Sequence, residues 1–251
     1  MAVQRDDLTH YLHAFLNVDM FKDYGPNGLQ VEGKAQITKV VYGVTASLQL
    51  IEAAVQAEAD AIIVHHGLFW RGQDGRVVSW MKQRLQQLLR HDINLYAYHL
   101  PLDGHPTVGN NAMLARGLGI DTALEYTGDQ NIIATGYFPA PLTLDTLKAK
   151  ARDLLQREVL VIAGDGRMIH KVGICSGGAQ NYFEDAIAAG VDAFITGELS
   201  EPQTHLARET GVAYIAGGHH ATERLGIQAL AKHMDEKFKL DGCYIEVANP
   251  A

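Results

Sequence analysis

Ala59-Asp60-Ala61-Ile62-Ile63-Val64-His65-His66-Gly67 and Val191-Asp192-Ala193-Phe194-Ile195-Thr196-Gly197-Glu198-Leu199 are two readings of one pattern. They lie 132 positions apart (191 against 59) and belong to longer matching stretches, residues 37–67 and 169–199, aligned without a gap. Each apolar run is short and continuous, as expected of a strand covered on both faces. Upstream of these runs, Lys39–Val44 and Val172–Cys175 read as preceding strands. Ser47 is placed to cap a helix burying Leu50, Ile51, Ala54 and Val55. Downstream, Met81, Leu85, Leu88 and Leu89 mark a helix, and Ile93–Tyr98 a strand ending at His99. The second copy replays this with a helix opening at Ser200-Glu201-Pro202 and a strand Val212–Ala216 ending before His219-His220. Strand–helix–strand–helix–strand, twice, predicts an α/β protein. Its two related lobes have mainly parallel sheets and arise by internal duplication.

Around the repeats the spacing predicts an opening helix over Leu8, Tyr11, Leu12, Phe15 and Leu16, then a turn-rich Asp23-Tyr24-Gly25-Pro26-Asn27-Gly28. Between them lie a strand Ile132–Tyr137, a Thr143-capped helix and a strand Val159–Ala163. The chain closes with a helix from about Thr222 and a strand around Cys243–Val247. The expected division is residues 1–128 plus 220–251 for the first lobe, with most of the metal ligands, and 129–219 for the second.

In open α/β sheets ligands gather beyond the carboxyl ends of the strands. His65, His66, His99, Asp103, Glu198, His219 and Glu223 all fall there. Imidazole with carboxylate and no thiolate suits Zn, Fe, Mn, Co or Ni and argues against a closed structural zinc site. Adjacent histidines leaving one strand point to opposite sides, so His65 and His66 suit two neighbouring ions better than one. Asp103 or Glu223 could bridge them. Ligands His65, His66, Asp103, His219 and Glu223 on two divalent ions leave positions open for water, as hydrolysis requires. His99 aligns with His219, yet Glu198 stands where the first copy has His66, so the halves are not equal. His99 is ranked as orienting Asp103 or hydrogen-bonding a water on the metal, and Glu198 and His99 are the candidates for proton transfer.

Other features carry blander readings. His10, His13, His91, His170, His205 and His233 lie away from the strand ends and are taken as ordinary; His105 and His220 adjoin ligand candidates as pocket or supporting residues. Phe69, Trp70 and Arg71 could wall a pocket and offer one cation, or simply pack under a loop. Asn110-Asn111 reads as a helix cap. Gly177-Gly178 is a weak hint of a phosphate loop. Cys175 is buried by context and is not a nucleophile.

The chain has 251 residues, 47% hydrophobic and 20% charged, with a net charge of −8. That composition suits a globular protein and disfavours nonspecific nucleic-acid binding. Two cysteines form no disulfide framework, the N-terminus has no apolar signal core, and no run approaches a membrane span. A cytoplasmic protein is expected.

Asp23–Gly33, Val64–Gly67, His99–Asp103, Ile195–Glu198 and Gly217–Glu223 together resemble the NIF-three-like family, whose members are labelled GTP cyclohydrolase 1 type 2, and most of all its bacterial YbgI-type branch. The resemblance runs end to end. It implies two α/β lobes with a dinuclear metal site between them, a toroidal hexamer, and a C-terminal helix and strand that rejoin the first lobe. It also implies His65, His66, Asp103, His219 and Glu223 as ligands, with Glu223 bridging, and does not count His99 among them. Two functions follow. One is a metal-dependent hydrolase of a small molecule, opening the imidazole ring of GTP with release of formate. The alternative is a metal-handling or regulatory ring protein without turnover.

Overall fold

The computed structural model describes residues 2–120 and 123–251. Met1, Asp121 and Thr122, which the expected first lobe includes, lie outside the described residues. The chain divides into two compact units. One is Met1–Leu102 with Ile227–Ala248, the other Asp103–Gly226 with Asn249–Ala251.

The first unit is built on a five-stranded sheet in the order Asp241–Tyr244, Lys39–Thr45, Ala61–His66, Asn94–Ala97, Gly28–Val31. The first four strands run parallel and the last is antiparallel. Ala61–Val64 is fully buried because apolar side chains leave both faces of the strand. On one face Val41, Ile62, Val64 and Leu95 pack with Leu50, Ile51, Ala54, Leu85 and Leu88 of the two crossover helices. Ser47 caps Leu48–Gln56 by accepting from the Leu50 N–H at 3.2 Å. In helix Ser79–Arg90, Met81, Leu85 and Leu88 face inward, but Leu89 is 63% exposed, since one residue beyond Leu88 turns off the buried stripe.

The second unit has six strands in the order Glu125–Thr127, Ile133–Leu142, Ile169–Ile174, Ala193–Thr196, Ala213–Ala216, Leu160–Ile162. The three central strands of the repeat pair parallel, and the flanking pairings are antiparallel, so this sheet is mixed. Thr143 caps Leu144–Leu155 through the Thr146 N–H.

The two copies share their register. Val40 pairs with Ala61 and Val172 with Ala193, both shifted by the same 132 positions. They also share a device at the strand start. The Asp60 carboxylate accepts from the Thr38 and Lys39 N–H groups at 2.9 and 3.0 Å, and Asp192 accepts from His170 and Lys171 at 2.9 Å each. A carboxylate that satisfies two backbone donors fixes the entry of the chain into the sheet.

The boundaries between units differ from those expected at 128/129 and 219/220. Helix Asn110–Leu118 buries Leu114, Ala115 and Leu118 against Phe138, Leu147, Ile195 and Ile215, and Ala221 joins the same core. Asp103, His219 and Glu223 therefore belong to the second unit, and the first holds only His65 and His66 of the expected ligands. The last helix begins at His219 rather than near Thr222, which sets His219 and Glu223 one turn apart on one face. Among the described residues no helix is long and apolar enough to cross a membrane.

Candidate metal centre

In the first unit, His65 and His66 end the strand Ala61–His66, and His99 follows Asn94–Ala97 by two residues. Each ring is held by its Nδ1. His65 Nδ1 donates to the Tyr98 carbonyl at 3.0 Å, and His66 Nδ1 meets the Thr45 hydroxyl at 3.1 Å. His99 Nδ1 donates to Asp23 Oδ1 at 2.7 Å. A carbonyl or carboxylate partner dictates the tautomer of the neutral ring, leaving the lone pair on Nε2. The three histidines each offer one ligand atom, all within 4.8 Å of one another, and could hold a metal ion. The structure thus brings His99 into the histidine cluster.

Asp23 and Asn27, in the segment read as a turn, build this corner. Asn27 accepts from the His99 backbone N–H at 2.7 Å and donates to Asp23 Oδ2 at 2.8 Å. Asp23 also accepts from the Leu100 and Tyr24 N–H groups. Burial works to raise the Asp23 pKa; hydrogen bonds from His99 and Asn27 outweigh it and hold the carboxyl below its ordinary value. Trp70 meets His99 edge-on at 5.0 Å and His66 at 5.9 Å, so it walls the cluster. Arg71 is exposed, and its guanidinium donates to the Asp23 carbonyl.

In the second unit, Asp103 and Glu223 are buried and His219 is half-buried. Asp103 Oδ1 accepts from Asn110 Nδ2 at 2.9 Å and lies 2.8 Å from the Ser176 hydroxyl. Asn110 in turn accepts from the Gly226 N–H, and Asn111 accepts from the Ser176 N–H. The capping reading of Asn110-Asn111 is therefore corrected: Gly109 occupies the cap, and both amides are buried supports. His219 Nε2 lies 3.1 Å from Glu223 Oε1, and its Nδ1 lies 2.6 Å from Glu198 Oε1. Burial opposes charge on this ring, but hydrogen bonds to Glu223 and Glu198 raise its pKa to about 9. Glu198 also accepts from Gln180 and is 44% exposed.

Gly177-Gly178 packs against these donors. A Cβ on Gly177, which has φ +67°, would meet Glu223 Oε1 at 2.1 Å and His219 Nε2 at 3.2 Å. In the first copy the corresponding position is Thr45, whose hydroxyl holds His66. The glycine makes room for a carboxylate where the threonine supports an imidazole. Burial and the nearby Asp103 and Glu223 charges push the Cys175 thiol up, so it stays protonated and is no nucleophile. His105 Nδ1 accepts from the Thr107 and Val108 N–H groups, a turn-closing role. Among the described residues His10, His13, His91, His170, His205 and His233 join no metal-capable group.

The strand registers refine the repeat. Ala61 pairs with Asn94 and Ala193 with Ala213, a shift of 119 positions on the third strand (213 against 94). His99 then falls on Gly218, and His219 comes one residue later. The two histidines match in chemistry and anchoring, not in register.

The donors fit transition-metal binding. The first unit supplies anchored imidazoles, the second two buried carboxylates and an imidazole, and the glycine beneath Glu223 would clash if it carried a side chain. Comparison with known proteins agrees with the end-to-end resemblance. A Neisseria meningitidis protein named GTP cyclohydrolase 1 type 2 homolog is 50% identical over 251 residues, covering all of both chains. A solved structure described as protein ybgI, of unknown function, superposes with a TM-score of 0.93 at 43% identity, covering 99% of this chain and 100% of that one. A second solved structure, from Thermus thermophilus, gives a TM-score of 0.91 at 35% identity, with coverage of 99% and 100%. The model of Duf34/NIF3 (NGG1p interacting factor 3) matches residues 3–250, and the chain belongs to that family.

Proposed function

We propose that this protein is a dinuclear metal-dependent hydrolase acting on a small molecule, of the class named by its relatives, GTP cyclohydrolase 1 type 2. The observation that carries the proposal is the anchoring. Expected ligands in both units have their outer atoms fixed by hydrogen bonds, His65 by Tyr98, His66 by Thr45, Asp103 by Asn110 and His219 by Glu198. Buried polar groups are organised this fully where their remaining atoms have a task. In this reading His65, His66, Asp103, His219 and Glu223 would hold two divalent ions of the Zn, Fe, Mn, Co or Ni type.

When bound, the ions supply Lewis acidity that lowers the pKa of water and polarises the bond to be hydrolysed. The chain does the rest. Asn110 and Ser176 hold Asp103 in one orientation, and Glu198 sets the His219 tautomer. Trp70 excludes water beside His66 and offers an aromatic edge to a heteroaromatic ring. Glu198, already engaged with His219 and Gln180, acts by positioning rather than by carrying a substrate proton. The same reading includes a cytoplasmic location and a ring-shaped homohexamer, whose mass of six chains light scattering on purified protein would check.

Protein purified without added metal should contain about two ions per chain, falling in His65→Ala and in Glu223→Ala. Metal-replete protein should release formate from GTP. Metal-free wild type would overturn the proposal; bound metal without formate release would overturn the cyclohydrolase assignment and favour metal handling.

A further inference from the structure

We infer that the first unit carries a binding site for a small aliphatic amine in a cavity of about 420 Å³ at the amino ends of its strands. Glu58 receives the ammonium group there, and Val55, Ala59 and Ile93 receive the alkyl chain. His65 and His66 lie at the opposite end of the same sheet, at the close of strand Ala61–His66. The amine site therefore stands whether or not the chain is a hydrolase.

Lys34 and His91 complete the lining. The cavity opens where helices Leu48–Gln56 and Ser79–Arg90 both end and the chain turns back into strands Ala61–His66 and Asn94–Ala97. Each helix end carries a residue in the left-handed region, Glu58 with φ +54° and Asp92 with φ +56°. The residue after it bonds back into the helix, the Ala59 N–H to the Ala54 carbonyl and the Ile93 N–H to the Leu88 carbonyl, both at 3.0 Å. Glycine is the ordinary occupant of such a corner, because an L side chain is strained there.

The second unit supplies an internal control. Glu58 corresponds to Gly190 at the 132-position shift, and His91-Asp92 to Thr210-Gly211 at the 119-position shift. Both glycines keep positive φ, +72° and +76°. The corner is otherwise shared. The Lys34 N–H donates to the Asp92 carbonyl at 3.0 Å, as the Asp165 N–H donates to the Gly211 carbonyl at 3.1 Å. Lys34 Nζ reaches Asp60 at 2.6 Å, and the Arg167 guanidinium lies 4.0 Å from Asp192. The fold is satisfied by glycine at both corners, yet the first unit bears the strain of two carboxylates beside its cavity.

Charge decides the ligand. Asp60 neutralises Lys34, while the Glu58 carboxylate has no side-chain partner among the described residues. Two helices also turn their carbonyl ends, the negative ends of their dipoles, toward this corner. Glu58, Asp92 and the helix ends together favour a cation. The buried part of the lining, Ala59 and Ile93, is apolar, and half-buried Val55 extends it, so the cation must carry an alkyl chain. A cavity of this volume suits a small organic molecule rather than a bare ion.

The test titrates the purified full-length chain with n-pentylamine at neutral pH, followed by proton–nitrogen correlation NMR. The amides of Glu58, Ala59, His91 and Ile93 should shift saturably, with a Kd on the order of 1 mM, as expected of so small a ligand. Pentanoate, with a similar chain and the opposite charge, should bind at least ~10-fold more weakly. Glu58→Gln should weaken pentylamine binding at least ~10-fold by removing the charge-assisted hydrogen bond. Glu58→Gly installs the second unit's residue. It should lose the amine and raise the urea midpoint, because the left-handed corner relaxes, so the loss is read in a folded protein. Metal content should match wild type in both variants. Four results each overturn the inference: no saturable shift at the cavity, pentanoate binding as tightly as pentylamine, unchanged affinity in Glu58→Gln, or equal shifts around Gly190 and Gly211. Amine binding by a protein that holds no metal supports the cavity site and sinks only the proposed function.

Discussion

The two units carry the same three-strand core and differ in the chemistry mounted on it. Their registers agree residue for residue between the first two strands, and each uses an aspartate, Asp60 or Asp192, to tie down the strand entry. At the carboxyl ends they part. The first unit presents imidazoles held by Tyr98, Thr45 and Asp23. The second presents Asp103, His219 and Glu223, with Gly177 replacing the threonine. Backbone satisfaction is demanded in every copy of a fold, so the clamps persist. Side chains past the strand ends carry no such obligation, and one unit has become nitrogen-rich while the other is carboxylate-rich.

The sharpest way to break this contrast is to give the second unit the first unit's residue. Gly177→Thr puts a branched side chain at φ +67° where even a Cβ would lie 2.1 Å from Glu223. It should abolish the Glu223 contribution to metal binding and destabilise the fold by about 2 kcal/mol or more, read by metal content and urea denaturation. The reciprocal Thr45→Gly should leave the metal count unchanged. Wild-type metal content in Gly177→Thr would refute the argument that the glycine makes room for the carboxylate.

Next in size are the two anchoring carboxylates. Asp23 is buried and ties down the His99 corner, so Asp23→Asn should destabilise the fold by about 2–3 kcal/mol, whereas the half-exposed Glu198 supports a ligand, so Glu198→Gln should weaken metal binding about 10-fold. Urea denaturation of Asp23→Asn and calorimetric titration of Co2+ into Glu198→Gln check the two; wild-type stability in the first would mean that the Asp23 network does not hold the corner.

The smallest effects should come from the shared clamps. Asp60→Asn and Asp192→Asn should each destabilise by about 1–2 kcal/mol, equally within error, with metal content untouched. Burial tends to raise the Asp60 pKa, but hydrogen bonds from Lys34, Lys39 and Thr38 outweigh it and lower it. Its stabilising share is therefore fully present above the ordinary carboxylate range. It is lost as the pH falls through the lowered folded value. Denaturation measured from pH 7 downward should show the gap between wild type and Asp60→Asn closing below about pH 4. A gap that persists in acid would mean the carboxylate charge is not what stabilises.

The repeat, its strands and the strand-end histidines are legible in the sequence because buried parallel strands must be apolar throughout and close at a polar residue. Capping by Ser47 and Thr143 is legible for the same local reason. The supports are not. Asp23 reads as a turn residue and reaches His99 across 76 positions, while Asn110 reads as a cap and holds Asp103 from inside a helix. Gly177-Gly178 reads as a faint phosphate loop because nothing local tells that Glu223 will lie against it.

Periodicity and residue chemistry are local properties of the chain, and they were enough to predict the duplicated α/β fold and the donor types. That Asp103 and Glu223 fold with the second unit, and that His99 joins His65 and His66, follows from packing across the folded chain. Burial is a property of the folded whole, and a hydrogen-bond partner is chosen by distance in space rather than along the chain.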